Sequence, residues 1–217
     1  MNYSIFISYL FAYILIPNNV NHMFINTTIA FFTSLVIYTI EPNQVKIKIP
    51  NKELCLIGFN IGLSILMLYL FLNYVKLSEG IQFIDLLYFA LWVITEEIIF
   101  FFGHKYLHKP HIYKYIHKYH HKYITTNALT SFYAHPLDQI FVNISFMLAP
   151  FIMLTYFKIK CSFQIIYIFF IVSGITFINS HQTLIGNEKL HHLLHHLKFN
   201  CNYGNFYILD IIYGCHI

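Results

Sequence analysis

The sequence predicts an all-α integral membrane helical bundle of about 4–6 spans or partial spans, capped on one face by a histidine-rich helical segment. Three observations predict it. Of the 217 residues, 58% are hydrophobic and only 10% charged, against roughly 25% charged in an ordinary soluble domain. A soluble fold has no way to hide that much apolar surface. Five apolar runs approach or reach the ~20 residues that cross a bilayer as helix. Nearly all of the fourteen histidines fall in the polar segments next to those runs.

In chain order, residues 3–17 are apolar but short, and read as a first short span or an interfacial helix. They lack a basic n-region and a small-residue cleavage site, so no signal peptide is expected. The five longer runs are residues 23–40, 54–75, 81–102, 139–157 and 162–178. The loop 18–22 carries no lysine, whereas 41–52 carries Lys46, Lys48 and Lys52, which places the second loop in the cytoplasm by the positive-inside bias. The third span then exits and the fourth returns after a turn at 76–80. The pair 139–157 and 162–178 goes out and back, so residues 103–138 and 179–217 are expected to share the cytoplasmic face. An odd number of spans between them would put the bilayer between ligands of one site.

All thirteen basic residues are lysines. Lys105, Lys109, Lys114, Lys118 and Lys122 are interleaved with histidines and have no acidic neighbour. This suits either anionic lipid headgroups or a segment kept soluble at the water interface. No nucleic-acid partner is expected, because the basic segment follows directly on a span and has no groove-reading or phosphate-binding motif. Cys55, Cys161, Cys201 and Cys215 form no C-x-x-C pair and read as small core residues.

The chemistry lies in three histidine clusters. His104 and His108 stand four residues apart, one turn of a helix. His117, His120 and His121 occupy positions i, i+3 and i+4. His192, His195 and His196 repeat that spacing far along the chain. Neutral imidazole binds metal through one ring nitrogen, and two on one turn close on one ion without strain. An adjacent third turns about 100° away and reaches a second ion. Eight histidines are too many for one metal and suit two. Imidazole suits zinc, copper, iron and nickel. A site at the membrane surface beneath apolar helices faces hydrocarbon, and iron is the metal among these that activates O₂ for C–H cleavage, whereas zinc has no redox chemistry.

At these residues the chain resembles the fatty acid hydroxylase and sterol desaturase superfamily of membrane non-haem diiron enzymes. The resemblance rests on Lys109-Pro-His-Ile-Tyr-Lys-Tyr-Ile-His-Lys-Tyr-His-His121, on Ser131-Phe-Tyr-Ala-His-Pro-Leu-Asp138, and on His195-His-Leu-Lys-Phe-Asn-Cys-Asn-Tyr-Gly204. Asp138 and the Phe-Asn-x-Asn-Tyr-Gly tail are most similar to sterol C-5 desaturases. Asp210 is followed by Ile211 where relatives usually carry Asp-Arg, a departure outside the boxes. With no internal repeat or low-complexity linker, one membrane domain over 1–217 is expected, with a spanning region at 1–80; the resemblance covers roughly 80–215 and implies a fatty acid hydroxylase-like catalytic region at 81–217. It implies two iron ions held by His104, His108, His117, His120, His121, His192, His195 and His196, and matches His135 and His181 to further family histidines, either as ligands or as hydrogen-bond partners of ligands. His191 is expected to orient its neighbours, and His111, His22 and His216 to take no part.

The same resemblance implies O₂-dependent oxidation of a lipid, a sterol or a fatty acyl chain, giving an alcohol or an alkene. Electrons are expected from outside, since no haem, flavin or nicotinamide motif occurs in the chain, and the resemblance implies cytochrome b5 and its reductase as the donor. The implied location is the endoplasmic reticulum or its equivalent. Glu96 and Glu97, near the end of the fourth span, either serve the site by holding an imidazole N–H or lining a proton path, or simply reach the interface. The rival class is a membrane metal-transport or metal-binding protein. Transport puts ligands at the bilayer midplane inside the spans, whereas these histidines cluster at span ends.

Overall fold

The six apolar runs fold as helices in the expected order, in a computed structural model that describes residues 3–183 and 191–216. Helix α1 is Tyr3–Ile14. Helices α2 (Val20–Thr39), α3 (Asn51–Tyr74) and α4 (Phe83–Leu107) are long and apolar enough to cross a membrane, as are Pro136–Thr155 and Phe163–Ser180. Local chemistry sets their starts. The Asn19 carboxamide oxygen accepts from His22 N at the head of α2 (3.1 Å), and Gln82 and Asp85 form a reciprocal capping box before α4.

Two boundaries differ from the sequence reading. Helix α4 runs five residues past Phe102, to Leu107, so His104 lies within the helix and His108 caps its end. The next span begins three residues before Gln139, at Pro136, because proline at the first helical position has no N–H to lose and its φ already suits a helix. That span is also broken: α6 (Pro136–Asp138), a π-helical turn at Gln139–Asn143, a 3₁₀ turn at Ser145–Met147, then α7 (Leu148–Thr155).

Helix α8 (Phe163–Ser180) is the central post, with eleven buried residues and packing against α1, α2 and α4. Lipid gives no hydrophobic drive between helices, so shape and hydrogen bonds hold the bundle. Phe71 meets Phe170 edge to face at 5.1 Å, and Phe169 packs on Trp92 at 5.5 Å. Trp92 Nε1 donates to Met153 Sδ (3.0 Å). Phe59, Leu66, Leu86, Leu87 and Ile94 point outward, as lipid-facing residues do. Cys161 and Cys201 are buried as expected, but Cys55 is on the outer face of α3.

The two ends of the bundle differ in kind. At one end the turn after α3 meets the start of α8, with Ser78 N donating to Cys161 O (2.9 Å) and Phe163 N to Ser78 O (3.1 Å). At the other end lie the polar segments: α5 (Pro110–Tyr113), short 3₁₀ turns at His120–Lys122 and Thr130–Phe132, α9 (His191–Lys198) and α10 (Ile208–Ile212). Asn60, buried in α3, ties this cap to the spans by donating to the Phe132 and Ala134 carbonyls, both at 2.8 Å.

Candidate metal centre

Helix α4 ends at the cap, α8 ends at the cap, and α9 lies within it; together with the turn around His120 they carry every box histidine to one place. Among the described residues two groups form. His104, His108, His117, His121 and His195 make one, and His120, His181, His192 and His196 the other, each with one ring nitrogen per residue within 4.8 Å of the rest. The adjacent pairs divide as a helical turn requires: His120 and His121 face different groups, and so do His195 and His196. His117 to Lys122 form turns rather than a regular helix, yet His121 N still bonds His117 O (3.2 Å), and that one turn is enough to preserve the spacing.

The outer nitrogens fix the tautomers. His104 Nδ1 lies 2.8 Å from the Tyr203 carbonyl, His195 Nδ1 2.6 Å from the Cys201 carbonyl, and His181 Nδ1 2.9 Å from the Phe177 carbonyl. A carbonyl only accepts, so each Nδ1 carries the proton and each Nε2 presents a lone pair. His117 Nδ1 sits 2.7 Å from Asp138 Oδ2. The Nε2 atoms then converge: His104 and His117 at 3.0 Å, His108 and His195 at 3.0 Å, His195 and His121 at 3.1 Å, His181 and His120 at 3.2 Å. In the His104–His117 pair both outer nitrogens are held by acceptors, so two lone pairs face each other and repel unless a cation lies between them. His192 Nε2 and His196 Nε2 are likewise buried without a hydrogen-bond partner. The donor set fits two nitrogen-liking metal ions, one in each group.

Electrostatics favour the same state. Burial, with the neighbouring His117 second, lowers His108 to about 3. Burial lowers His181 to about 4, against the pull of the Phe177 carbonyl. His120, His192, His195 and His196 are driven well below the ordinary value by burial and then by each other's imidazoles. All therefore stay neutral, the form that binds metal. The sign for stability follows. The unfolded chain takes up protons below the ordinary imidazole value of 6.5, while the folded His108 and His181 resist down to about 3 and 4. Stability is full above pH 6.5 and falls away between there and pH 3–4. Thermal unfolding from pH 8 to 4.5 is expected to show a melting temperature flat above about pH 6.5 and declining below it.

The carboxylates of α4 do something other than either expected role. Neither meets an imidazole. Glu96 accepts from Ser173 Oγ (2.6 Å) and Asn205 Nδ2 (2.8 Å), and Glu97 from the backbone N–H groups of Phe206 (2.7 Å) and Leu209 (3.1 Å). Asp210 accepts from Tyr203 N and Gly204 N, both at 2.7 Å. These three carboxylates pin the Asn-Tyr-Gly segment, whose Tyr203 carbonyl holds His104. Phe199, Asn202 and Tyr207 all take left-handed φ, between 55° and 69°, a costly conformation that surrounding contacts must enforce. Tyr113, Phe199 and Tyr203 close over the five-histidine group, Phe199 stacked on His121 at 4.7 Å and Tyr203 edge-on to His195 at 5.2 Å.

His135 stands apart from both groups. It is the N-cap of α6, its Nδ1 accepting from Leu137 N (3.2 Å). The His-Pro step that marks it in sequence is a helix start, and the same turn presents Asp138 to His117. His181 instead joins the four-histidine group. His111, His22 and His216 are exposed, and the side chain of His191 lies outside the described residues. Asp138→Asn is expected to weaken metal retention 10–100-fold, the ordinary effect of losing a partner that orients a ligand, read by chelator competition.

Comparison with known proteins agrees with this arrangement. The family model for fatty acid hydroxylases matches residues 89–215. Fatty acid hydroxylase domain-containing protein 2 of Homo sapiens is 32% identical over 131 residues, 59% of this chain and 38% of that protein. The Delta(7)-sterol 5(6)-desaturase of Candida glabrata is 30% identical over 125 residues, 56% of this chain and 33% of that protein. A very-long-chain aldehyde decarbonylase of Oryza sativa subsp. indica, GL1-11, is 34% identical over 59 residues, 27% of this chain and 22% of that protein. The matched part is 38% of the length of the first of these relatives and 33% of the second. No solved structure matches significantly. The matched region takes in both histidine groups and the tail that orients them, and the chain belongs to the fatty acid hydroxylase family.

Proposed function

We propose that this membrane protein oxidises an unactivated C–H bond of a lipid with O₂, at two iron ions held by the two histidine groups. The observation that carries the reading is the convergence of bare Nε2 atoms into adjacent sets of five and four. Bound iron would supply one-electron redox chemistry and O₂ activation. The chain supplies everything else. Carbonyls and Asp138 hold the imidazoles, burial keeps them neutral, and Tyr113, Phe199 and Tyr203 shield the five-histidine group from water.

The route for hydrocarbon supports a lipid substrate. An apolar cavity of about 80 Å³ lies between α2, α3, α8 and the broken span. It is lined by Phe132 and Phe177 at one end and by Leu68, Phe170 and Ile171 further along. The Phe177 ring lies 4.8 Å from that of His181, so the cavity reaches toward the four-histidine group from within the bundle. The sterol reading rests on the sterol desaturases among the relatives. Its local marks carry less weight, because Asp138 and the Asn-Tyr-Gly tail are occupied in orienting histidines. A linear acyl chain is the second reading, supported by the fatty acid hydroxylase family match.

The cap is on the cytoplasmic side by the lysine bias of 41–52, in the endoplasmic reticulum or its equivalent. Electrons come from cytochrome b5 and its reductase. The test is to purify the full chain in detergent from iron-replete cells, count metals, and follow products by mass spectrometry with O₂, a reductant, and sterol and acyl lipids in parallel. Two irons per chain and one class of oxidised lipid are expected. Fewer than two metals with no oxidised lipid would sink the reading, and reduced cytochrome b5 that fails to support turnover would remove the donor from it.

A further inference from the structure

We propose that Glu53, at the head of α3, is a positioning residue of the metal centre: its buried carboxylate clamps Lys122 and Tyr123 and so holds His120 and His121 in register. The inference rests on the metal-centre reading above and extends the site into a helix outside the family match at 89–215.

Glu53 lies in the first turn of α3, just after Pro50, and is 2% exposed. A carboxylate buried there needs partners. One oxygen takes Lys122 Nζ and the other takes the Tyr123 hydroxyl. The Lys122 ammonium also lies over the rings of Tyr123 and Tyr133, at 5.8 and 5.5 Å. Both partners follow directly on His120 and His121, which belong to different histidine groups.

The clamp is needed because this box has little backbone support. His120–Lys122 is a single 3₁₀ turn, and at Tyr123 the chain becomes extended. His104 is fixed by a helix of 25 residues, but nothing of that kind fixes His120 and His121. One carboxylate therefore bears on His120 of one group and on His121 of the other.

The experiment uses the full-length protein in detergent, stripped of metal and titrated with Co²⁺, whose visible spectrum reports ligand geometry. Affinity is measured by chelator competition for the wild type and for Glu53→Gln, Glu53→Asp, Tyr123→Phe and the double variant Glu53→Gln/Tyr123→Phe. Glu53→Gln is expected to weaken cobalt retention about tenfold or more and to alter the spectrum. Glu53→Asp should recover part of the loss, and the double variant should lose less than the sum of the singles, because both act on one contact. A Glu53→Gln protein with wild-type affinity and spectrum overturns the clamp, even if its melting temperature falls. If Glu53→Gln does not fold, Tyr123→Phe alone answers the question: unchanged affinity and spectrum overturn the proposal. Wild-type protein that binds no cobalt overturns the metal-centre reading itself.

Discussion

His195→Ala is expected to lower metal content from two ions per chain toward one and to reduce turnover by more than about a hundredfold, beyond what loss of an outer hydrogen-bond partner costs. His195 Nε2 lies 3.0 Å from His108 Nε2 and 3.1 Å from His121 Nε2, so it closes the five-histidine group from the α9 side. Its Nδ1 is held by the Cys201 carbonyl, so the ring has no freedom to be replaced by a neighbour. His120→Ala is expected to act likewise on the four-histidine group. Protein yield should hold, since each change removes a ring from a polar cap and leaves the spans intact.

The informative control pairs His181→Ala with His135→Ala. The sequence resemblance offers both histidines as ligands or as partners of ligands, but His181 Nε2 meets His120 Nε2 at 3.2 Å, while His135 caps a helix. His181→Ala should lose metal. His135→Ala should keep both ions and cost about 1 kcal/mol of cap stability. Metal analysis of the two purified variants decides it, and loss of an ion from His135→Ala would place that residue in the centre.

The spans were legible because bilayer thickness imposes a length, and an apolar run of that length has few other uses. The boxes were legible because imidazoles of one segment that serve one ion must share a turn, and that spacing survives even where the turn at His120 is not a regular helix. What spacing does not encode is contact between distant segments. Glu96 and Glu97 looked like acids near the site; that Glu96 meets the Asn205 side chain and Glu97 the N–H groups of residues 206 and 209 depends on α10 folding back on α4. Asn60 lies within the apolar run 54–75 and Glu53 just before it. Each meets a group more than 65 residues away, Asn60 the Phe132 and Ala134 carbonyls and Glu53 the Lys122 ammonium. A polar residue inside a span carried the signal that something must meet it, but not which segment. His135 and His181 differ for the same reason: one begins a helix and the other ends one, and only the direction of the chain at that point sets where the ring is aimed.

Gly204→Ala is expected to disrupt the centre from a position that touches no histidine. A Cβ at Gly204 would overlap Glu97 Oε1 and come within 2.9 Å of Asp210 Oδ2. Those are the two carboxylates that pin the tail, and neither is free to retreat, because Glu97 also holds Phe206 N and Leu209 N while Asp210 holds Tyr203 N. The tail must therefore lift. When it does, the Tyr203 carbonyl leaves His104 Nδ1 and the Cys201 carbonyl, two residues earlier, is strained away from His195 Nδ1. Two imidazoles of the five-histidine group lose the acceptors that fix their tautomers, each such loss being worth 10–100-fold in metal affinity. The four-histidine group has no acceptor in residues 201–204 and should keep its ion. Metal analysis of Gly204→Ala should then approach one ion per chain, with Tyr203 newly accessible to chemical labelling. Two ions bound at wild-type affinity would mean that the tail covers the centre without ordering it.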